Sequence, residues 1–346
     1  MADIVARSRR AFTRALGLCA FGASAAIGAF TAPAFAQSAS SYPREPISLV
    51  VPFAAGGGLD VTARILADKL KDLLGQPVLI VNKPGAGSAI GAKTVAASAP
   101  DGYTLFITSG SAFGYMHLLL PSYELTLADF APVAVVASNP SIFAVSTTLP
   151  VKTMDDLVKY AQAKPGEISF CSTGSGGLNH LQLEMFRRAV KDKTGKDFQV
   201  THVPYNGLAP ALMAMKSQNV QACTLPYTSL VKNLDGKDLR VLSVQARARL
   251  PFLPDVPTTG EGGYPSMDAN EAFVNIQAPK GTPQPILDKL QDAVARTMQD
   301  PQVRKKLLDI EVQPVYMDSQ QTRKWLEDDV NRFSTVIREA GLVVSK

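Results

Sequence analysis

The sequence predicts an α/β fold of two domains hinged about a cleft, and three observations predict it. From Tyr42 onward, strand-like apolar runs alternate with helical patterns, as they do where helices cover a largely parallel sheet. The chain has 346 residues, 46% hydrophobic and 19% charged, enough to bury two cores. The alternation is punctuated around Pro140 and Pro150 and then begins afresh.

In chain order, ISLVVPF reads as a buried strand. LDVTARILADKLKDLLG follows and sets Val61, Ile65, Leu66, Leu70, Leu73 and Leu74 on one helical face. VLIVNKP and YTLFITSG repeat the strand, with the small-residue helix SAIGAKTVAASA between them, so three parallel strands with crossover helices are expected. After APVAVVASNPSIFAVSTTLP comes the second set: helix TMDDLVKYAQA, strand ISFCSTG, helix LNHLQLEMFRRAVKD, strand QVTHVPY, helix APALMAMKS and strand VQACTLP. The strand LRVLSVQA leads into a Pro- and Gly-rich stretch, and the chain ends in three helical segments. The economical topology joins residues 43–141 and 239–346 into one domain and inserts residues 142–238 as the other.

Residues 1–36 stand apart, with a basic start, a small-residue apolar run and the A-x-A end Ala34-Phe35-Ala36. They are expected to be an export signal cleaved before Gln37. The run is short for a membrane span, which needs roughly 20 residues. SRRAFTR (Ser8 to Arg14) resembles the twin-arginine signal, and Cys19 falls in the discarded leader. Without Arg7, Arg9, Arg10, Arg14 and Asp3, the 35 basic and 30 acidic residues become 31 and 29, a net charge of +2. The basic pI is therefore partly a property of the leader, and no Lys/Arg block interleaved with aromatics points to nucleic acid.

The remaining Cys171 and Cys223 form no C-x-x-C, and the chain has three histidines (His117, His180, His202), so neither a zinc site nor a cofactor is expected. The two cysteines are compatible with a disulfide in an oxidising compartment and equally with two isolated buried thiols.

The chemistry concentrates where strands meet helices. VPFAAGGGLD puts three glycines before a helix start, where unpaired N–H groups and the helix dipole favour a carboxylate or phosphate. STGSGGLNHL (Ser172 to Leu181) repeats the arrangement in the second set. Neither loop carries Lys or Arg, so an anion there would rest on backbone N–H groups, hydroxyls and water. Each turn is also readable as a plain tight turn, Asp60 as a residue that stabilises the first helical turn, and His180 as a packing or capping residue.

Named catalytic motifs fail. Val61 breaks G-x-G-x-x-G, GAGSAIGAK misses the P-loop spacing by one residue, and Thr173 stands where a G-x-S-x-G elbow needs glycine. No acid is evidently placed behind His180 to make it a base for Ser175, so no catalysis is expected.

Landmarks over essentially the whole chain after the leader resemble the periplasmic solute receptors of tripartite tricarboxylate transporters, the Bug family. They are YPREPISLVVPFAAGGGLDVTARILADKL, GQPVLIVNKPGAGSAIGA, APDGYTL, DFAPVAVVAS, STGSGGLNHL, HVPYNG, LRVLSV, LPDVPTTGEGGYP and APKGTP. The resemblance implies a two-domain periplasmic binding protein of type II with a hinged cleft. Such a protein is a monomer that captures a small carboxylate and delivers it to membrane permease subunits; a ligand-presenting sensory subunit is the alternative.

Carried over by position, the first loop is Phe53, Ala54, Ala55, Gly56 and Gly57 with Asp60. The second is Ser172, Thr173, Gly174, Ser175 and Gly176 with His180. Ser109, Leu225 and Phe273 complete the expected ligand set. The chain departs from the family where Gly177 replaces threonine, Asn206 lysine and Phe273 tryptophan. It also lacks an acid near Thr224 and Leu225 and an asparagine in the segment Phe113 to His117. The missing acid suggests an apolar or aromatic carboxylate rather than an acidic amino acid.

Overall fold

Ile47, Leu49, Val50 and Val51 are almost wholly shielded from solvent, and burial on both faces makes ISLVV a central strand, β1 (Ile47–Val51). The computed structural model describes residues 41–205, 208–230 and 237–344. The leader, with Arg9, Arg10 and Cys19, lies outside the described residues, as does Asn206. Both sheets belong to one compact unit, Tyr42–Lys346.

Helix α1 (Gly58–Leu74) follows β1, and β2 (Val78–Asn82) and β3 (Thr104–Ser109) pair with β1 in parallel from either side. The small-residue helix α2 (Ala89–Ala96) crosses between them. A short helix α3 (Ala112–Tyr115) leads to β4 (Phe130–Ser138), and two late strands, β10 (Phe273–Pro279) and β11 (Gln313–Met317), complete a six-stranded sheet ordered β11-β4-β10-β3-β1-β2.

The second sheet starts directly after β4. β5 (Ser141–Ser146) leads to helix α4 (Met154–Ala163), whose start is fixed by a capping box between Thr153 and Asp156. Then come β6 (Ser169–Ser172), helix α5 (Leu178–Thr194), β7 (Thr201–Pro204), helix α6 (Leu208–Lys216), β8 (Ala222–Pro226) and the short helix α7 (Tyr227–Leu230). The order is β7-β6-β8-β5-β9, with β6 parallel to both β7 and β8.

β9 (Leu239–Val244) corrects the expected boundary at residue 239. It runs antiparallel to β5, with Ser146 opposite Leu239 and Ile142 opposite Val244, so the chain returns to the first sheet only after it. Leu239, Leu242 and Val244 are buried there. An apolar strand pattern says that a strand is covered, and leaves open which sheet edge receives it.

The closing helices are α8 (Gln284–Gln299), α9 (Pro301–Asp309) and α10 (Ser319–Glu339). Helix α10 serves both sheets. Leu326 packs in the cluster with Phe106, Phe113 and Phe130, while Phe333, Val336 and Ile337 join Phe186, Phe198 and Tyr264 in the core around α5. Glu339 at its end pairs with Arg188 of α5. Among the described residues no helix is long and apolar enough to cross a membrane.

Cys171 on β6 and Cys223 on β8 are register partners, wholly buried and joined as a disulfide that spans 52 residues of sequence. Thiol labelling of residues 37–346 in denaturant should therefore find no free cysteine until reductant is added. Replacing both cysteines by alanine should cost about 2–4 kcal/mol in a urea titration.

Candidate functional site

The first loop is built around one glycine. Gly56 has φ +84°, a left-handed conformation in which any side chain is strained, and this turns its N–H onto the Asp60 carboxylate at 2.9 Å. That carboxylate also accepts from Arg64 Nε at 2.9 Å, Arg64 Nη2 at 3.0 Å and Asn82 Nδ2 at 3.0 Å; Asn82 Nδ2 donates to the Phe53 carbonyl as well. The Arg64 hydrogen bonds outweigh burial and hold the Asp60 carboxyl down at about 2. The helix then starts at Gly57, which is extended (φ −75°, ψ 163°) and offers no side-chain cap, so the first turn's N–H groups are left for an outside acceptor.

The second loop is the same construction 120 residues on. Gly176 has φ +74° and donates its N–H to His180 Nδ1 at 2.9 Å. Gly177 is the extended, uncapped helix start (φ −69°, ψ 164°), and α5, like α1, runs for 17 residues. Both helices end on a left-handed glycine, Gly75 (φ 72°) and Gly195 (φ 70°).

Asn82 and His202, also 120 residues apart, each support the side chain that holds the glycine. Asn82 does so by its hydrogen bond to Asp60, and His202 by stacking on His180 with ring centroids 4.0 Å apart and planes 5° from parallel. Neither is in the expected ligand set. Aligning GGGLD (56–60) with GGLNH (176–180) and following the 120-residue offset forward is the signal that finds them.

Around this frame, the Ser172 hydroxyl pairs with His202 Nε2 at 2.7 Å and donates to the Gly174 carbonyl, while Thr173 Oγ1 donates to Asn179 Oδ1 at 2.9 Å. Phe53 is 43% exposed, and Ala54, Ala55, Gly56, Gly57 and Ser175 are exposed too; Thr173, Gly174 and Gly176 are partly so. Ser109, at the end of β3, accepts from Asn139 Nδ2 at 3.2 Å. Asn139 lies in the segment crossing from the first sheet to the second, and its Oδ1 accepts from Thr228 Oγ1 at 3.1 Å.

Each loop meets the other half of the molecule. A Cβ added to Gly58 would lie 3.5 Å from Thr228 Oγ1, and one on Gly176 would lie 3.2 Å from Leu119. The exposed loop backbone thus borders the boundary between the two sheets.

Several expected contacts are corrected. Leu225 is wholly buried in the core with Cys171, Ile142 and Ala211, because alternation along β8 turns it onto α6, away from α5. Phe273 is turned into the first core, edge-to-face with Trp325 at 5.3 Å between ring centroids. Asp60, Ser172 and His180 are committed to holding the loops. A surface cavity of about 790 Å³ lies elsewhere, between α5 and the end of α10, and none of the loop residues lines it.

The comparisons with known proteins agree on one family. The model of the tripartite tricarboxylate transporter family receptor matches residues 62–342. Protein BugT of Bordetella pertussis is 35% identical over 322 residues, 92% of this chain and 97% of that one. Among solved structures, an R. palustris protein with adipate superposes with a TM-score of 0.75 at 31% identity, covering 87% of this chain and 99% of that chain. MatC from Rhodopseudomonas palustris, with bound malate, gives 0.71 at 28%, covering 86% of this chain and all of that one.

The two glycines at the first helix start carry different constraints. An added Cβ at Gly56 meets nothing within 4 Å, so only backbone strain opposes it; at Gly57 it meets Ala54 O at an ordinary 3.6 Å with φ negative. Gly56→Ala should cost about 1–2 kcal/mol, and Gly57→Ala should change stability by no more than about 1 kcal/mol, both measured by denaturant unfolding.

Proposed function

The chain belongs to the tripartite tricarboxylate transporter receptor family, and from that premise we propose that it is a periplasmic receptor for a small carboxylate, held between the two glycine loops and handed to the membrane permease of such a transporter. One observation carries the reading. Two uncapped helix starts, alike in backbone and braced from behind, present backbone N–H groups beside the boundary between the sheets. A ligand touching both loops gains its full set of contacts only when the halves are together, so binding shifts the population toward a closed form.

The proposal extends to the leader, as a twin-arginine export signal cleaved near Ala36, and to the absence of catalysis. His180 Nδ1 is taken by Gly176 N–H and its Nε2 faces Glu184 at 3.5 Å, which leaves no ring nitrogen to act as base for Ser175. The adipate and malate bound by similar receptors support the carboxylate class. The exposed Phe53 ring beside the first loop favours an apolar body on that carboxylate.

Thermal melting of residues 37–346 against mono-, di- and tricarboxylates, aromatic acids and amino acids tests the reading. Ligand at 100 times its Kd stabilises by about 2.7 kcal/mol, a rise of several degrees. A selective rise with one class of carboxylate is expected. No rise with any acid, in protein first unfolded and refolded to strip retained ligand, would overturn carboxylate capture. Gly56→Val should weaken the binding so found, because a β-branched residue at φ +84° moves the N–H groups off target.

A further inference from the structure

The two braces are equivalent in position and different in chemistry. In the first loop the acceptor for the glycine N–H is a carboxylate that stays ionised down to about pH 2, since Arg64 holds it there. In the second the acceptor is an imidazole nitrogen, which has a lone pair to offer only while it carries no proton.

We infer that His180 is a proton-sensitive positioning residue: neutral, it accepts the Gly176 N–H and holds the second loop; protonated at Nδ1, it turns a donor toward that N–H and lets the loop go, while Asp60 keeps the first loop fixed.

The surroundings give the proton this effect. Glu184 lies one helical turn on, its Oε1 3.5 Å from His180 Nε2. Burial opposes its ionisation, but the His180 hydrogen bond and the neighbouring Arg187, at 2.7 Å, bring its carboxyl below the usual range. An ionised Glu184 therefore waits for an imidazolium, and protonation of His180 exchanges the Gly176 bond for an ion pair.

His202, stacked on the other side, is depressed to about 4 by burial and then by His180 and Arg187. Arg187 is itself occupied by Glu184 and the Val200 carbonyl. On the elements packed against α5, Glu339 of α10 pairs with Arg188, Asp329 of α10 with Arg332, and Asp268 of the 3₁₀ segment Pro265–Asn270 accepts from Gly260 N–H and Thr258 Oγ1.

The brace is therefore complete while His180 Nδ1 carries no proton and is lost when that nitrogen takes one. That its loss weakens ligand capture rests on the proposed function; the loosening itself does not, and can be measured on the free protein.

The test is an amide NMR titration of the protein from about pH 8 to about pH 5, the span over which imidazoles titrate. Gly176 N–H should shift in step with the His180 ring signals, while Gly56 N–H stays constant. His180→Asn, whose amide oxygen accepts without titrating, should abolish the Gly176 shift. His202→Phe, which keeps a ring on the stack, should preserve it. A Gly176 amide that does not titrate, a titration that survives His180→Asn, or one that disappears in folded His202→Phe would each overturn the inference.

Discussion

The site depends on one local hydrogen bond, made twice: a glycine in the left-handed region aims its N–H at a side chain four residues ahead, on the first turn of the following helix. That bond orders a strand-to-helix turn that is glycine-rich and only partly shielded from solvent. With it, the extended residue at the helix start is set and the remaining N–H groups point outward together. A loop that recognises by backbone must be ordered by something other than its own side chains. Here the order comes from Asp60 and His180 behind the loops, steadied in turn by Asn82 and His202 at equivalent places in the two halves.

This division of labour explains how much the sequence reveals. The glycine runs, the helices behind them and the two-set α/β order are legible because they rest on local rules: strand ends, helix starts and periodicity. What is not legible depends on which face of a strand points where. β8 is covered on both faces, with Ala222 and Thr224 toward α5 and Cys223 and Leu225 toward α6, so the strand is apolar or small throughout and its alternation is silent. Matching by position alone would put Leu225 and Phe273 at a ligand; the direction of their side chains puts them in the cores. β9 falls to the second sheet although nothing in LRVLSV distinguishes the free edge at β5 from an edge of the first.

The same locality conceals what couples the halves. Asn139 holds Ser109 of the first sheet's end and Thr228 of the second's with one amide, and helix α10 buries Leu326 in one core and Phe333 in the other. Crossing segments alone would leave two lobes free to rotate; a helix packed into both cores limits the rotation to what its side chains tolerate. Interiors of close-packed side chains do not deform continuously, so any opening would proceed between a few discrete packings.

The atoms of the braces are already committed to one another. A general base needs a nitrogen or oxygen with an accessible lone pair near the reacting proton. His180 Nδ1 is occupied by Gly176, His202 Nε2 is occupied by Ser172, and Asp60 divides its oxygens among Gly56, Arg64 and Asn82. Asp60 and His180 thus serve to shape backbone.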